Sequence, residues 1–152
     1  METGPLLLRK TGSFDINDLL KTEDYLAHGI GVSGGAISGR IVFSLDDIDS
    51  WRKKEPDTIL ILIRNDTVPD DIREISAADG LLTARGGVTS HAALVAHRLE
   101  KTCVVGCGNL TCDEKTKTCL FNNVQLKSGD IISMDGQEGS VYLGQIKTGQ
   151  SI

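Results

Sequence analysis

Apolar and polar positions along the chain follow a pattern that predicts strands separated by short helices. From Ile37 to Phe43 every second residue is apolar or glycine, which is typical of a strand with one buried face. Residues 58–63 are almost continuously apolar and rich in β-branched side chains, which favours a strand covered on both faces. Apolar runs over 80–84 and 102–106 predict two more strands. The pattern therefore predicts a mixed α/β fold.

Two short helices are predicted between these strands. Ser44 followed by Asp47 resembles a capping box that opens a helix running to residue 51. Pro69, with two aspartates directly after it, is typical of a first helical turn. We expect the helix that begins at Pro69 to direct both Ile72 and Ile75 into the core.

A third helix is predicted after the strand at 80–84 and a Gly-Gly loop. Thr89 or Ser90 can cap this helix, because the side-chain oxygen of either residue can accept from a backbone N–H of the first turn. Apolar residues at positions 92, 95, 96 and 99 form one stripe on the helix. With the strand at 102–106, the segment makes a β-loop-α-β unit, and His91 lies in the first turn of its helix.

The flanking segments carry weaker patterns. Apolar residues between Ile16 and Leu26 have a loose helical spacing after Asp15, so residues 1–27 are expected to form a linker or a short helix. The glycine-rich stretch 28–39 is expected to turn tightly, since it lacks the arrangement of a phosphate-binding loop. Paired strands are expected at 110–112, 118–121, 131–134 and 141–143. The predicted domain therefore covers residues 28–146, and residues 147–152 form a polar, frayed tail.

Composition argues against several classes of protein. The 152 residues are enough for one domain, and 39% hydrophobic with 24% charged residues is ordinary for a soluble globular protein. The net charge is −5 and there is no basic run, which argues against nucleic acid as a partner. No apolar stretch approaches the roughly 20 residues needed to cross a bilayer, and the N-terminus has no signal-peptide pattern. We expect a cytoplasmic protein that does not bind membranes.

Four cysteines, at positions 103, 107, 112 and 119, raise the question of a metal site. Their spacings do not repeat the C-x2-C arrangement of zinc sites. Cys103 lies in an apolar run, where a small buried side chain is expected. Cys112 and Cys119 flank a polar segment and could face each other across a hairpin. We predict structural thiols and no bound metal, with a redox or metal role as the alternative.

His91 is the residue whose position indicates chemistry. The first turn of a helix has unpaired N–H groups and the positive end of the helix dipole, which together favour an anion. An imidazole with an ordinary pKa near ~6.5 is largely neutral at cytosolic pH, so its lone pair can attack phosphorus. A metal pair is not supported, because position 95 is Val and His97 lies about 120° away around the helix. No G-x-S-x-G elbow supports a Ser-His pair. A histidine that acts alone suits covalent phosphoryl carriage.

The loop before His91 can stabilise a phosphoryl group. Arg85 and the backbone N–H groups around Gly86, Gly87 and Ser90 could offset the charge of the phosphoryl oxygens. An alternative for Arg85 is a solvated surface position without any such contact. An alternative for His91 is a structural histidine without chemistry, which is what most histidines are.

Residues 82–107, which run Leu-Thr-Ala-Arg-Gly-Gly-Val-Thr-Ser-His-Ala-Ala-Leu over 82–94 and continue to Cys107, resemble the phosphohistidine motif of PEP-utilising enzymes. The similarity is closest to the pyruvate, phosphate dikinase family and extends from about His28 to Gly144. PEP synthases usually carry Cys at the position of Ser90. Thr89 matches a threonine that some members use as a regulatory phosphorylation site. His97 and Glu100 depart from the family, which commonly has Arg and Gly at these positions.

The resemblance implies a swivelling β/β/α domain that carries a phosphoryl group on His91 between two remote active sites. It implies partner domains, in the same or other chains, that bind nucleotide and PEP or pyruvate. Mg²⁺ and ATP or PEP would be held there, and this domain would bind no cofactor. Because 152 residues cannot also hold a nucleotide domain or a barrel, we expect a phosphotransferase that is incomplete alone. The alternatives are a carrier for PEP synthase or another PEP-utilising phosphotransferase, or a non-catalytic binding or regulatory module.

Overall fold

Strands dominate the computed structural model of the chain, which describes residues 13–15, 19, 25–146 and 148–149. The helices in these ranges are α1 (Leu45–Lys54), α2 (Ile72–Ala77) and α3 (His91–Arg98), and a single 3₁₀ turn, Pro69–Asp71, precedes α2. The strands are β1 (Ser13–Phe14), β2 (Tyr25–His28), β3 (Ile30–Ser33), β4 (Ala36–Val42), β5 (Leu60–Arg64), β6 (Gly80–Thr83), β7 (Thr102–Val105), β8 (Leu110–Asp113), β9 (Thr118–Phe121), β10 (Val124–Lys127), β11 (Ile131–Asp135), β12 (Ser140–Leu143) and β13 (Thr148–Gly149).

The main sheet has eight strands in the order β2-β12-β11-β4-β5-β6-β7-β3. Its central strands β4, β5, β6 and β7 are parallel neighbours, and the remaining pairs are antiparallel. A second, antiparallel sheet has the order β10-β9-β8, and β1 pairs with β13. The carboxyl ends of β4 to β7 therefore meet at one edge of the main sheet, where the loops after them lie side by side.

The main sheet is covered on both faces, as the continuously apolar run at 58–63 predicts. Ile61 and Ile63 pack in a core with the second sheet, while the alternate residues Leu60 and Leu62 pack in a core with the helices. All four side chains are fully buried. Alternate side chains of β5 thus pack into two different cores, one on each face of the main sheet. The layers of the molecule are therefore β/β/α. The predicted mixed α/β fold is confirmed.

The helix starts follow the sequence closely. The Ser44 hydroxyl accepts from the N–H of Asp47, as the predicted capping box requires, so Ser44 is the N-cap of α1. The Asp47 carboxylate accepts from the N–H of Phe43, one residue before the N-cap, and the reciprocal bond of a full capping box is replaced by this one. The prediction for Ile72 is wrong: its side chain is 47% exposed, whereas Ile75 is 1% exposed. The core contacts of α2 come from its C-terminal half, so a residue in its first turn does not reach the sheet.

The glycine-rich segment 28–39 forms strands, contrary to the prediction of tight turns. It contributes β3 and the start of β4, and the turn is confined to the residues between them, where Gly34 has a φ of +77°. A Cβ at Gly39 would lie 2.5 Å from the carbonyl oxygen of Ile59. The glycine there permits close approach of neighbouring backbone, which a count of glycines cannot distinguish from a turn.

The ends of the chain also differ from the prediction. Leu26 is buried in β2 and not in a helix. Leu19 is helical, and its N–H donates to the carbonyl of Asp15, as the predicted short helix after Asp15 requires. Ile16 and Leu20 lie outside the described residues. Strand β10 has no counterpart among the predicted strands. Ile146 is 2% exposed and β13 pairs with β1, so the chain is not frayed at these positions. No helix in the described ranges is both long and apolar enough to span a membrane.

Candidate functional site at the carboxyl edge of the parallel strands

The candidate site lies at the edge where the central parallel strands end. Residues 65–68 follow β5, residues 84–90 follow β6, and residues 106–109 follow β7. Hydrogen bonds join these loops: the N–H of Arg85 donates to the carbonyl of Asn65, and the N–H of Gly106 donates to the carbonyl of Arg85. The loop before His91 is therefore held by the loops on both sides of it.

Ser90 is the N-cap of α3, which settles the choice between Thr89 and Ser90. Its backbone is extended, and its hydroxyl accepts from the N–H of Ala93 at 3.3 Å. The same hydroxyl donates to the carbonyl of Gly87 at 2.7 Å, and the N–H of Ser90 donates to that carbonyl as well. Ser90 thus closes the loop and starts the helix at His91, while Thr89 is exposed.

The first turn of α3 presents backbone donors beside the imidazole. The N–H of Ala93 is used by the cap and the N–H of Leu94 by the carbonyl of Ser90. The N–H groups of His91 and Ala92 have no acceptor within the described part of the chain. Two free donors and the helix dipole therefore lie where the sequence predicts an anion to bind.

The imidazole of His91 is partly exposed and held through one ring nitrogen. Its Nδ1 lies 3.1 Å from the hydroxyl oxygen of Thr67, whose side chain is buried in the loop after β5. Nε2 has no hydrogen-bond partner among the residues that the structure describes. A ring held at Nδ1 keeps its other nitrogen free of protein contacts, which suits a phosphoryl acceptor.

Sequence reasoning missed Thr67. The residue lies 24 positions before His91, and no periodicity connects the two. The one indication in the sequence is that Thr67 lies between His28 and Gly144, the stretch over which the chain resembles PEP-utilising enzymes.

Arg85 is anchored by its backbone and free at its guanidinium. Its carbonyl accepts from the hydroxyl of Thr83 at 2.6 Å, in addition to the loop bonds described above. Its side chain is exposed and makes no ion pair or hydrogen bond with the described residues. The structure thus places Arg85 in the same loop as His91 without bringing the two side chains together.

Gly86 and Gly87 have different roles in the loop. Gly86 has a φ of +106°, and a Cβ there would lie 2.9 Å from the Ser90 hydroxyl oxygen. A Cβ at Gly87 would meet no atom within 4 Å, so this side of the loop is open. Gly86 is required by the backbone turn, while Gly87 borders open space.

His97 lies on a different part of α3, as its spacing from His91 predicts. It is exposed and lines a shallow groove of about 250 Å³ together with Val88 and Leu94. In the described ranges no three His, Cys, Asp or Glu side chains converge as metal ligands would.

The four thiols are buried in the cores on either side of the main sheet, and this includes Cys107, although it belongs to the loop after β7. All are free and buried, and burial raises the pKa of each thiol to about 12. Cys112 and Cys119 are direct neighbours across β8 and β9, so the predicted hairpin pairing is confirmed. These thiols are poor nucleophiles at neutral pH, because only the thiolate reacts.

Comparison with known proteins identifies the family. Residues 56–139, more than half of the chain, match the family model described as PEP-utilising enzyme, mobile domain. The chain belongs to this family. The resemblance inferred from residues 82–107 is thereby confirmed, and the β/β/α layers give the mobile domain its architecture in this chain.

Relatives of the mobile domain are much longer than this chain. Pyruvate, phosphate dikinase of Rickettsia bellii is 44% identical over 138 residues, which is 86% of this chain and 15% of that protein. The chloroplastic pyruvate, phosphate dikinase 1 of Arabidopsis thaliana is 41% identical over 123 residues, or 81% of this chain and 13% of that protein. An NMR structure of Enzyme I is 33% identical, covers 57% of this chain and 31% of its own, and superposes with a TM-score of 0.41. The chain spans about one seventh of the dikinases it matches.

Proposed function

We propose that this mobile domain carries a phosphoryl group on His91 in a pyruvate, phosphate dikinase-like phosphotransferase. The observation that carries the proposal is the hydrogen bond between His91 Nδ1 and the buried Thr67 hydroxyl. It orients a partly exposed ring at a helix N-terminus and leaves Nε2 free. The names of the relatives support the type of enzyme, since dikinases match over more than four fifths of this chain.

In the proposed mechanism Nδ1–H donates to the Thr67 hydroxyl oxygen, so the lone pair of the neutral ring is on Nε2. Nε2 attacks phosphorus, a P–N bond forms, and the bond between phosphorus and the donor's leaving oxygen breaks with its electron pair going to that oxygen. In the second step pyruvate loses a methyl proton to a base of the partner domain, the oxygen of the resulting enolate attacks phosphorus, and the P–N bond breaks with its electron pair returning to Nε2. The donor is nucleotide in one direction and PEP in the other, each held with Mg²⁺ on a partner domain.

The loop supplies charge stabilisation during both steps. We assign the free N–H groups of His91 and Ala92 to the phosphoryl oxygens, because they lie at the foot of the same helix. The open side of Gly87 admits the group, and the free guanidinium of Arg85 offsets its charge. Ser90 contributes by holding the loop closed.

The remaining parts of the proposal concern partners and regulation. The chain would act with nucleotide-binding and PEP/pyruvate-binding domains, would bind no cofactor itself and would be incomplete alone. Thr89, an exposed hydroxyl two residues before His91, is the proposed regulatory phosphorylation site. A cytoplasmic location is part of the same proposal.

The test is phosphoryl loading of the full chain. Incubated with PEP, Mg²⁺ and the PEP/pyruvate domain of a dikinase, the chain should gain one acid-labile phosphoryl group by intact mass. His91→Asn should abolish the gain, and the matched variant His97→Asn should retain it. The dikinase's own mobile domain serves as the positive control. Two results would contradict the proposal and favour a non-catalytic module. One is a phosphoryl group that is still gained by His91→Asn, and the other is no gain by the unaltered chain when the positive control is phosphorylated.

A further inference from the structure

The loop that carries Thr67 is bound to the second sheet through one side chain. The Asn65 carboxamide donates to the carbonyl of Cys112 and accepts from the N–H of Cys112, both at 2.8 Å. Strand β8, which contains Cys112, is an edge of the three-stranded sheet. The amide of Asn65 therefore takes the place that a neighbouring strand would occupy, and fixes the first residue of the loop to that edge.

Arg64 makes a second connection between the same two parts. Its side chain is 7% exposed and forms an ion pair with Glu114, in the turn after β8. On its other side it is paired with Asp71 at 3.7 Å and Glu74 at 3.5 Å. Arg64 thus joins the hairpin of the second sheet to the residues that follow the Thr67 loop, so the loop is held at both ends.

The backbone of Asn65 reaches the other loop of the site. Its carbonyl accepts from the N–H of Arg85 at 3.0 Å, in the loop that ends at His91. A single residue is therefore bonded to β8 by its side chain and to the His91 loop by its backbone. Thr67, two residues later, contacts the imidazole itself.

From these contacts we infer that Asn65 is a positioning residue for His91: its bidentate bond to Cys112 fixes the loop that keeps the Thr67 hydroxyl on Nδ1. The Thr67–His91 distance of 3.1 Å is near the upper end of the usual range for such a bond, so a small displacement of the loop breaks it. The expected effect of Asn65 on phosphoryl transfer rests on the proposed carrier function. Its expected effect on the orientation and tautomer of the imidazole is independent of that function.

The first measurement is the tautomer of His91, observed by ¹⁵N NMR of the ring nitrogens in the full chain. In the unaltered chain the Nδ1–H form of His91 should be enriched relative to that of the exposed His97, which is an internal reference. Asn65→Ala should bring the tautomer ratio of His91 close to that of His97. Asn65→Asp should act in the same direction, because its carboxylate cannot donate to the Cys112 carbonyl. Asn123→Ala removes an equivalent amide from an exposed turn of the same sheet and should change nothing.

The second measurement is the rate of phosphoryl transfer with the partner domain at saturation. Asn65→Ala should lower this rate about tenfold without changing the affinity for the partner domain, since positioning and not docking is altered. Glu114→Gln, at a half-exposed position, should lower the rate by a smaller factor through Arg64.

The outcomes separate the two proposals. If Asn65→Ala leaves the His91 tautomer and the transfer rate equal to those of Asn123→Ala, the positioning role is wrong. If the tautomer shifts as expected but the unaltered chain accepts no phosphoryl group, the positioning role holds and the carrier function fails. Should Asn65→Ala not fold, Asn65→Asp and Glu114→Gln decide by the same two readouts, and no shift in either variant contradicts the inference.

Discussion

The loop edge around His91 and the cores on either side of the main sheet both contain side chains that can act as nucleophiles. The side chain at the loop edge is partly exposed, whereas those in the cores are buried. At the edge, an imidazole is partly exposed, oriented through one nitrogen and flanked by free N–H groups. In the layers, four thiols are buried, and burial raises their pKa to about 12. The fold therefore leaves the His91 imidazole accessible and keeps the four thiols protonated in the cores.

The cause of this difference is where each group falls relative to the strands. Cys103 and Cys112 belong to strands, so the pleat directs them into apolar layers packed on both sides. His91 follows a strand end and a loop, where the backbone leaves the sheet and donors are unpaired. The comparison predicts that changes in the layers alter stability and thiol reactivity, while changes at the edge alter phosphoryl transfer.

The largest expected effect is the loss of stability at alkaline pH. Each thiol has a folded-state pKa near 12 and an unfolded value of 9.0, so the unfolded chain releases protons first as pH rises. The stabilisation is therefore complete below pH 9 and is lost as pH rises from 9 to 12. The loss at pH 10 is on the order of 1 kcal/mol for each thiol, and several kcal/mol for the four together.

Urea unfolding at pH 8 and pH 10 measures this loss. The matched variant Cys103→Ala should lose on the order of 1 kcal/mol less than the unaltered chain between the two pH values. An equal loss in both proteins would show that the Cys103 thiol does not titrate in the way its burial implies.

The next effect concerns thiol reactivity in the native state. A pKa raised from 9.0 to about 12 lowers the thiolate population at pH 8 by about 1,000-fold, so iodoacetamide should label native protein that much more slowly than unfolded protein. Stopped aliquots analysed by mass spectrometry give both rates. Rapid labelling of any one thiol in the native protein would show that burial does not protect that cysteine.

At the loop edge the largest expected effect after loss of His91 itself is that of Thr67→Val. Valine keeps the shape of threonine but cannot bond to Nδ1, so the ring loses its fixed orientation. Phosphoryl transfer should fall by roughly ten- to a hundredfold, while urea unfolding changes little. Thr89→Val is the matched control, because its hydroxyl is exposed and makes no hydrogen bond in the described residues. Equal rates of phosphoryl transfer in Thr67→Val and Thr89→Val would show that the Thr67 hydroxyl does not orient His91 for the reaction.

The smallest effect separates the two glycines of the loop. Gly86→Ala forces a Cβ onto a backbone with a φ of +106° and against the Ser90 hydroxyl, and should cost about 1–2 kcal/mol of unfolding free energy. Gly87→Ala meets no neighbour and should change stability by less than about 0.5 kcal/mol. Thermal unfolding distinguishes them, and a reversed order would mean that the loop has a different conformation.

Local sequence patterns determined the elements and the position of the candidate site. The helix start at Ser44, the two-sided strand at 58–63 and the Cys112–Cys119 hairpin depend on neighbouring residues, so they could be predicted and are confirmed. The motif around His91 was sufficient to indicate the family.

Contacts between distant segments were decided by the tertiary structure alone. Thr67 reaches His91 over 24 residues and Asn65 reaches Cys112 over 47, because parallel strands bring their carboxyl ends to one edge and the second sheet packs beside it. The glycines of 28–39 likewise proved to serve backbone packing against strands far along the chain. A pattern of period two or 3.6 records which face of an element is buried, but not which other element covers it. The residue proposed to react was thus visible in the sequence, and the residues that hold it were not.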